Sequence, residues 1–154
     1  MYSITILAVG KLKEKIYRDG VAEYLKRLKP YAKIKVVELA PEAFGETNRE
    51  QAKEKENQRI LDYLEKNKDK KIICLTEGGT EYSSMEFSKF LNKTNQEIIF
   101  IIGGALGFSS KTLSKMDVKL SLSKMTFLHE MARLILVEQI YRAQMIESGK
   151  SYHY

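Results

Sequence analysis

The chain has 154 residues, of which 44% are hydrophobic and 30% charged, with a net charge of +6. That length suits one domain with a real core, and the composition is that of an ordinary globular protein, not a fibrous or disordered one. No apolar run reaches the roughly 18–20 residues that a bilayer-spanning helix needs, and the opening MYSITILAVGK lacks the basic prelude of a secretory leader.

The first run, SITILAV (3–9), predicts a strand. Tyr17, Val21, Tyr24, Leu25 and Leu28 then recur at helical spacing until Pro30 ends the helix. KIKVVEL (33–39) predicts the second strand, and the stretch from Leu39 to Gly45, with Pro41, is the expected flexible loop. TNRE (47–50) has the pattern of a capping box and opens a charged helix whose apolar side includes Ile60, Leu61 and Leu64. KIICLT (71–76) predicts the third strand and carries Cys74, the only cysteine, as a buried thiol. With no second cysteine and no Cys/His spacing for a metal, a cytoplasmic, metal-free protein is the default.

SSME offers a second capping box at Ser83 and Glu86, ahead of Phe87, Phe90 and Leu91. EIIFII (97–102) and VKLSL (118–122) predict the last two strands, with Ser109 or Ser110 placed to cap a short helix reaching Met116. The final helix, from His129 to Glu147, is apolar on most sides, which predicts burial on two faces or packing against another subunit. Strand and helix alternating in this way predict an α/β fold: one domain, residues 1–154, with an open, mainly parallel sheet and helices on both faces. The most apolar runs, 72–75 and 98–102, belong at the centre of that sheet.

Charge is unevenly spread. Residues 1–35 carry nine Lys or Arg against Glu14, Asp19 and Glu23, whereas residues 38–56 carry six Glu against Arg49, Lys53 and Lys55. Four lysines between Ser109 and Lys124 face only Asp117. Either a basic face suited to nucleic acid or a Lys-rich solvated helix surface accounts for this pattern.

The run IIFIIGGALGF (98–108) sends a buried strand into Gly103, Gly104 and Gly107. A dinucleotide fingerprint would read GxGxxG in the first βα unit, and a P-loop would end in GK[ST]; neither pattern is present. In parallel sheets, ligands bind beyond the carboxyl ends of the strands. Gly78 and Gly79 after the third strand, and LSLSKMTFLHEMAR (120–133) after the fifth, add small residues and exposed backbone there. Such a cavity suits a planar ligand such as adenine, held by backbone groups. A plain turn, a nucleotide-binding enzyme with GGxxG as its phosphate loop, and a non-enzymatic RNA-binding protein remain competing readings.

IIGGALG, LSLSKMTFLHEMARLILVEQIYRA and the ending SYHY, in this order and spacing, resemble the RlmH group of SPOUT methyltransferases, as does the opening ITILAVGKLKEK. The resemblance covers essentially the whole chain. It implies a C-terminal deep trefoil knot, a homodimer, and transfer of a methyl group from S-adenosylmethionine to N3 of a pseudouridine in 23S large-subunit ribosomal RNA; a small single domain with a modest basic patch favours the assembled ribosome as the form of that substrate. The knot is nothing that ordinary connection rules would suggest.

Carried over by position, Leu75, Gly103, Gly104, Leu122, Ser123, Lys124, Met125, Thr126 and Phe127 would bind the cofactor, with Leu75, Leu122, Met125 and Phe127 flanking adenine. His129 would organise the loop and Arg133 would hold RNA phosphate or the developing base anion. Tyr152 would stack on the target base, with His153 near its N3 edge. Two positions depart from the family pattern: Leu128 stands where proline is usual, and Tyr154 where a basic residue often ends the chain. Glu138, Gln139, Tyr141 and Arg142 lie in the helix that resembles the family's dimer-forming element.

Overall fold

The computed structural model describes residues 1–154. Its elements are β1 (Tyr2–Val9), α1 (Lys15–Leu28), β2 (Ala32–Leu39), α2 (Arg49–Glu65), β3 (Lys71–Glu81), α3 (Ser84–Lys93), β4 (Ile98–Ile102), α4 (Ser110–Leu113), β5 (Val118–Ser121) and α5 (His129–Glu147). The five strands form one sheet in the order β2-β1-β4-β3-β5, every pair parallel. A knot is not visible in the strand order and pairing.

β4 is central because its residues are apolar on both faces. All five are buried. Their alternation separates two cores, as the period of a strand requires. Ile98, Phe100 and Ile102 join Ile4, Ile6, Val21, Leu28, Phe87, Leu91, Leu136 and Ile140 on the face covered by α1, α3 and α5. Ile99 and Ile101 join Leu7, Val9, Ile60, Leu64, Ile72 and Cys74 on the face covered by α2. Each such side chain contributes about 1.5–3 kcal/mol relative to exposure, so the strand ends that carry the loops are anchored at the best-packed part of the molecule.

The α5 helix spans the predicted residues, seated between α1 and α3. The Ser83–Glu86 capping box forms with both of its bonds, and Ser109 caps α4 by accepting the Thr112 N–H. Elsewhere the structure corrects the reading. The TNRE box does not form: α2 begins one residue later, after Asn48, whose side chain is spent on the preceding loop. Its Oδ1 accepts the Gly45 N–H at 2.7 Å and its Nδ2 donates to the Ala43 carbonyl at 3.2 Å. That loop is also pinned by Arg59, which donates to the Ala40 carbonyl at 2.9 Å.

β3 does not end at Thr76. It continues to Glu81 through an irregularity in which Leu75 and Thr80 both pair with Leu120. Gly79 permits this, since a Cβ there would stand 2.6 Å from the Lys119 carbonyl carbon. α4 stops at Leu113, short of Met116.

Candidate active site

The carboxyl ends of β3, β4 and β5 open into a cavity of about 280 Å³. β4 supplies the glycine loop. There the Gly107 N–H donates to the Gly104 carbonyl at 3.1 Å, and Gly107 takes a φ of +74°, a conformation that favours glycine. A Cβ at Gly103 would meet the Phe108 ring at 3.2 Å, so the loop's backbone lies directly against the aromatic that follows it.

The opposite wall is the segment after β5. Ser121 Oγ lies 2.9 Å from the Ser123 carbonyl and 3.2 Å from the Glu77 carbonyl. Ser123 Oγ accepts the Met125 N–H at 3.0 Å, and Thr126 Oγ1 donates to Glu77 Oε1 at 3.3 Å. Short hydroxyl side chains thus fold the run back and tie it to the irregular part of β3. No Lys or Arg lines the cavity; Glu77 and His129 are its only ionisable side chains. A wall of backbone, small and apolar groups with one carboxylate suits a flat ligand bearing positive charge, not a phosphate. That fits S-adenosylmethionine and disfavours a GGxxG phosphate loop.

Of the predicted cofactor residues, Leu75, Gly103, Gly104, Leu122, Ser123, Met125, Thr126 and Phe127 all line the cavity, and His129 joins them. Lys124 does not; it is exposed beside the others. Glu77 and Phe108 line the cavity without having been singled out. Both adjoin glycines that were, and the strand-end rule extended by one residue would have found them.

The other three predicted catalytic residues lie outside the cavity. Arg133, 3% exposed, donates to Glu38 Oε2 at 2.8 Å and to the Gly10 carbonyl at 3.0 Å. Glu130, one turn before it on α5, is used otherwise: its Oε1 accepts the Lys13 N–H at 2.6 Å and the Glu14 N–H at 3.1 Å. The first turns of α5 therefore clamp the junction between β1 and α1, and Arg133 is not free to reach an RNA phosphate in this arrangement. Exposed Lys11, Lys13, Lys15 and Arg18 surround that junction.

Tyr152 and His153 are docked on the chain's own α5. The Tyr152 ring meets Tyr141 edge-on at 4.8 Å, with Arg142 over it at 4.8 Å. Its hydroxyl lies 2.9 Å from the Tyr24 hydroxyl and donates to Glu138 Oε1 at 3.1 Å. Burial, then Tyr24 and Glu138, push the Tyr152 pKa well up. His153 Nδ1 is 3.3 Å from Arg142 Nη1. At 1.5 Å per residue, Glu138 and Arg142 stand roughly 13 and 20 Å along the helix from His129.

Three comparisons place the chain. Residues 2–153 match the family model described as "Predicted SPOUT methyltransferase". Proteins called Ribosomal RNA large subunit methyltransferase H are similar throughout: 46% identical in Kosmotoga olearia, covering 99% of each chain, and 46% in Pelotomaculum thermopropionicum, covering 100% of each. Among solved structures, the backbone resembles a probable methylase family protein from Haemophilus influenzae, with a TM-score of 0.63 at 13% identity over 99% of this chain and 71% of that one. It also resembles a probable rRNA-methyltransferase from Porphyromonas gingivalis, with a TM-score of 0.56 at 14% identity over 95% and 70%. The structural likenesses speak for the fold alone. The family match and the full-length relatives settle the assignment: the chain belongs to the SPOUT methyltransferases.

Proposed function

We propose that this protein methylates N3 of a pseudouridine in large-subunit ribosomal RNA, using S-adenosylmethionine, on the assembled ribosome in the cytoplasm. The observation that carries the reading is the cavity without Lys or Arg where β3, β4 and β5 end, in a chain whose full-length relatives bear the name of a ribosomal RNA large subunit methyltransferase. When bound, S-adenosylmethionine supplies a methyl group already activated on a sulfonium. The protein's own task is placement and one proton, because N3 of a uracil-type base must lose its proton to attack.

The roles divide as follows. Backbone groups of Gly103 and Gly104 and of the 122–127 run hold the adenosine, while Leu75, Leu122, Met125 and Phe127 supply apolar contact. Glu77 lies on the wall where a positive charge on the cofactor is best placed. His129 opens α5 at the cavity and organises the run before it. Arg133 is a positioning residue that fixes the basic β1–α1 junction. Tyr152 and His153 act on the target base, stacking on it and approaching its N3 edge.

Because the tail sits well along α5 from its own cavity, the tail that serves this site comes from a second copy, in a homodimer. Partly exposed Met131 and half-buried Ile135 on the outer side of α5 give that copy an apolar face. Transfer of labelled methyl from S-adenosylmethionine to ribosomes lacking the native modification, with free ribosomal RNA in parallel, tests the reading. Label at N3 of a pseudouridine is the expected result. Label elsewhere changes the acceptor, and absence of both label and cofactor binding leaves only RNA binding. Substituting His129 by Ala lowers transfer with cofactor affinity nearly intact; normal turnover removes it from the mechanism. A monomer mass at micromolar concentration counts against the dimer.

A further inference from the structure

Behind the glycine loop lies a carboxylate that the site as described does not use. Glu56, on α2, is 3% exposed. Its Oε2 accepts the Glu42 N–H at 2.9 Å, while its Oε1 is buried with no hydrogen-bond partner. That oxygen is directed at Gly104, where an added Cβ would stand 3.1 Å from it and 3.1 Å from Val9 Cγ1. On the loop itself, the Gly104 and Ala105 N–H groups have no protein acceptor. A buried carboxylate oxygen without a donor is unfavourable, and half-buried Gly104 and exposed Ala105 offer N–H donors that no protein group takes. Here the two kinds of orphan occupy neighbouring positions.

The next residue fastens the other end of the loop. Asn57, also 3% exposed, accepts the Ser109 N–H on Oδ1 at 2.9 Å and donates from Nδ2 to the Gly107 carbonyl at 3.2 Å. Two successive residues of α2 thus back the whole glycine loop on the side away from the cavity.

We propose that Glu56 is a positioning residue for cofactor binding. Its free Oε1 accepts a loop N–H, at Gly104 or Ala105, when the cavity is filled, and Asn57 anchors the loop's far end. Glu56 does not line the cavity and acts through Gly104. Since the same carboxylate holds Glu42, it fastens the β2–α2 loop and the glycine loop at one point. The proposal rests on reading the cavity as the S-adenosylmethionine site.

The test uses the full chain with E56Q and E56A, and S-adenosylhomocysteine as a probe that binds without turnover. Calorimetry gives the affinity, hydrogen exchange reads the 103–107 amides, and thermal unfolding reports the fold. Glu56→Gln keeps the size but offers a donor at one of two positions that need an acceptor. Its affinity is expected to fall about tenfold, and that of Glu56→Ala further, in line with loss of a charge-assisted bond. The protection that the probe confers on 104–105 in the wild type is expected to vanish in both variants. With substrate, KM for S-adenosylmethionine rises more than kcat falls. A drop in melting temperature with unchanged affinity and protection overturns the proposal, since that is what a purely structural residue gives. Failure of the wild type to bind the probe overturns the cofactor reading and this proposal with it. Binding by the wild type with equal binding by both variants overturns the proposal alone.

Discussion

The cavity end of the sheet and the tail on α5 are built on opposite plans. At the cavity, three strand ends converge, and short local bonds shape the loops: Ser121 on Ser123, Ser123 on Met125, Gly107 on Gly104, with Asn57 of α2 fastening the glycine loop from behind. The tail is held on a helix face, by Glu138 on its own α5 and by Tyr24 across most of the sequence, and these contacts keep it well removed from His129. The first region thus forms its cavity wall from one chain alone. On the proposed reading the second acts in another copy's cavity, which would make binding and transfer separable functions of separate regions.

The sharpest test of that separation is removal of residues 152–154. Transfer is expected to fall by a factor on the order of 100 to 10,000, the usual range for lost acid–base and positioning groups, with cofactor affinity unchanged. Wild-type turnover in the truncated protein would remove the tail from the mechanism. A loss of cofactor affinity instead would join the two regions that the structure holds apart.

Arg133→Ala comes next. Arg133 and Glu130 each grip the β1–α1 junction, and removing one partner leaves Glu38 and the Gly10 carbonyl without their donor. Glu38 keeps about a third of its side-chain surface in solvent, which discounts the cost of orphaning it. A loss of about 2–3 kcal/mol in denaturant unfolding follows. A change in RNA affinity at unaltered stability would instead favour direct phosphate contact by Arg133. Gly103→Ala is milder still. Its Cβ would press on the Phe108 ring at 3.2 Å, so the ring shifts and cofactor affinity falls about tenfold, read by calorimetry with the tail's contribution unaltered.

What the sequence disclosed follows the same division. The strands were legible because β4 and its neighbours are buried on both faces and read as unbroken apolar runs. The bounds of α5 were legible because its pattern begins at His129 and lasts to Glu147. Eight of the nine residues expected to bind cofactor line the cavity because a strand-end cavity is made of consecutive residues, while Lys124 is exposed beside it, which spacing does not encode. The partners of Arg133 and the docking of the tail on α5 were not legible. Whether an arginine meets Glu38, Glu130 or a phosphate depends on contacts made across 95 residues, and single-chain periodicity says nothing about them. The extension of β3 past Thr76 was missed for a related reason: Gly78 and Gly79 read as a turn, whereas Gly79 is there to let the Lys119 backbone pass.

The smallest effect concerns the rigidity of the cavity end, and Cys74 reports on it. The thiol lies on β3 next to Leu75, fully buried, and burial pushes its pKa up to about 11 from an ordinary 9.0, with Lys119 opposing slightly. A thiol whose folded pKa is raised favours the folded state below pH 9.0, where both states are protonated. That advantage is lost as pH climbs toward about 11, because the unfolded chain ionises first and is thereby stabilised. Stability should therefore decline over this window, and Cys74→Val should flatten that part of the curve. At pH 8 the native thiol should resist a thiol reagent at the rate of global unfolding, whereas the tail should be clipped by carboxypeptidase much sooner. Fast labelling of Cys74 at pH 8 would mean that the cavity end opens locally, and the contrast between a firm binding region and a detachable tail would then be lost.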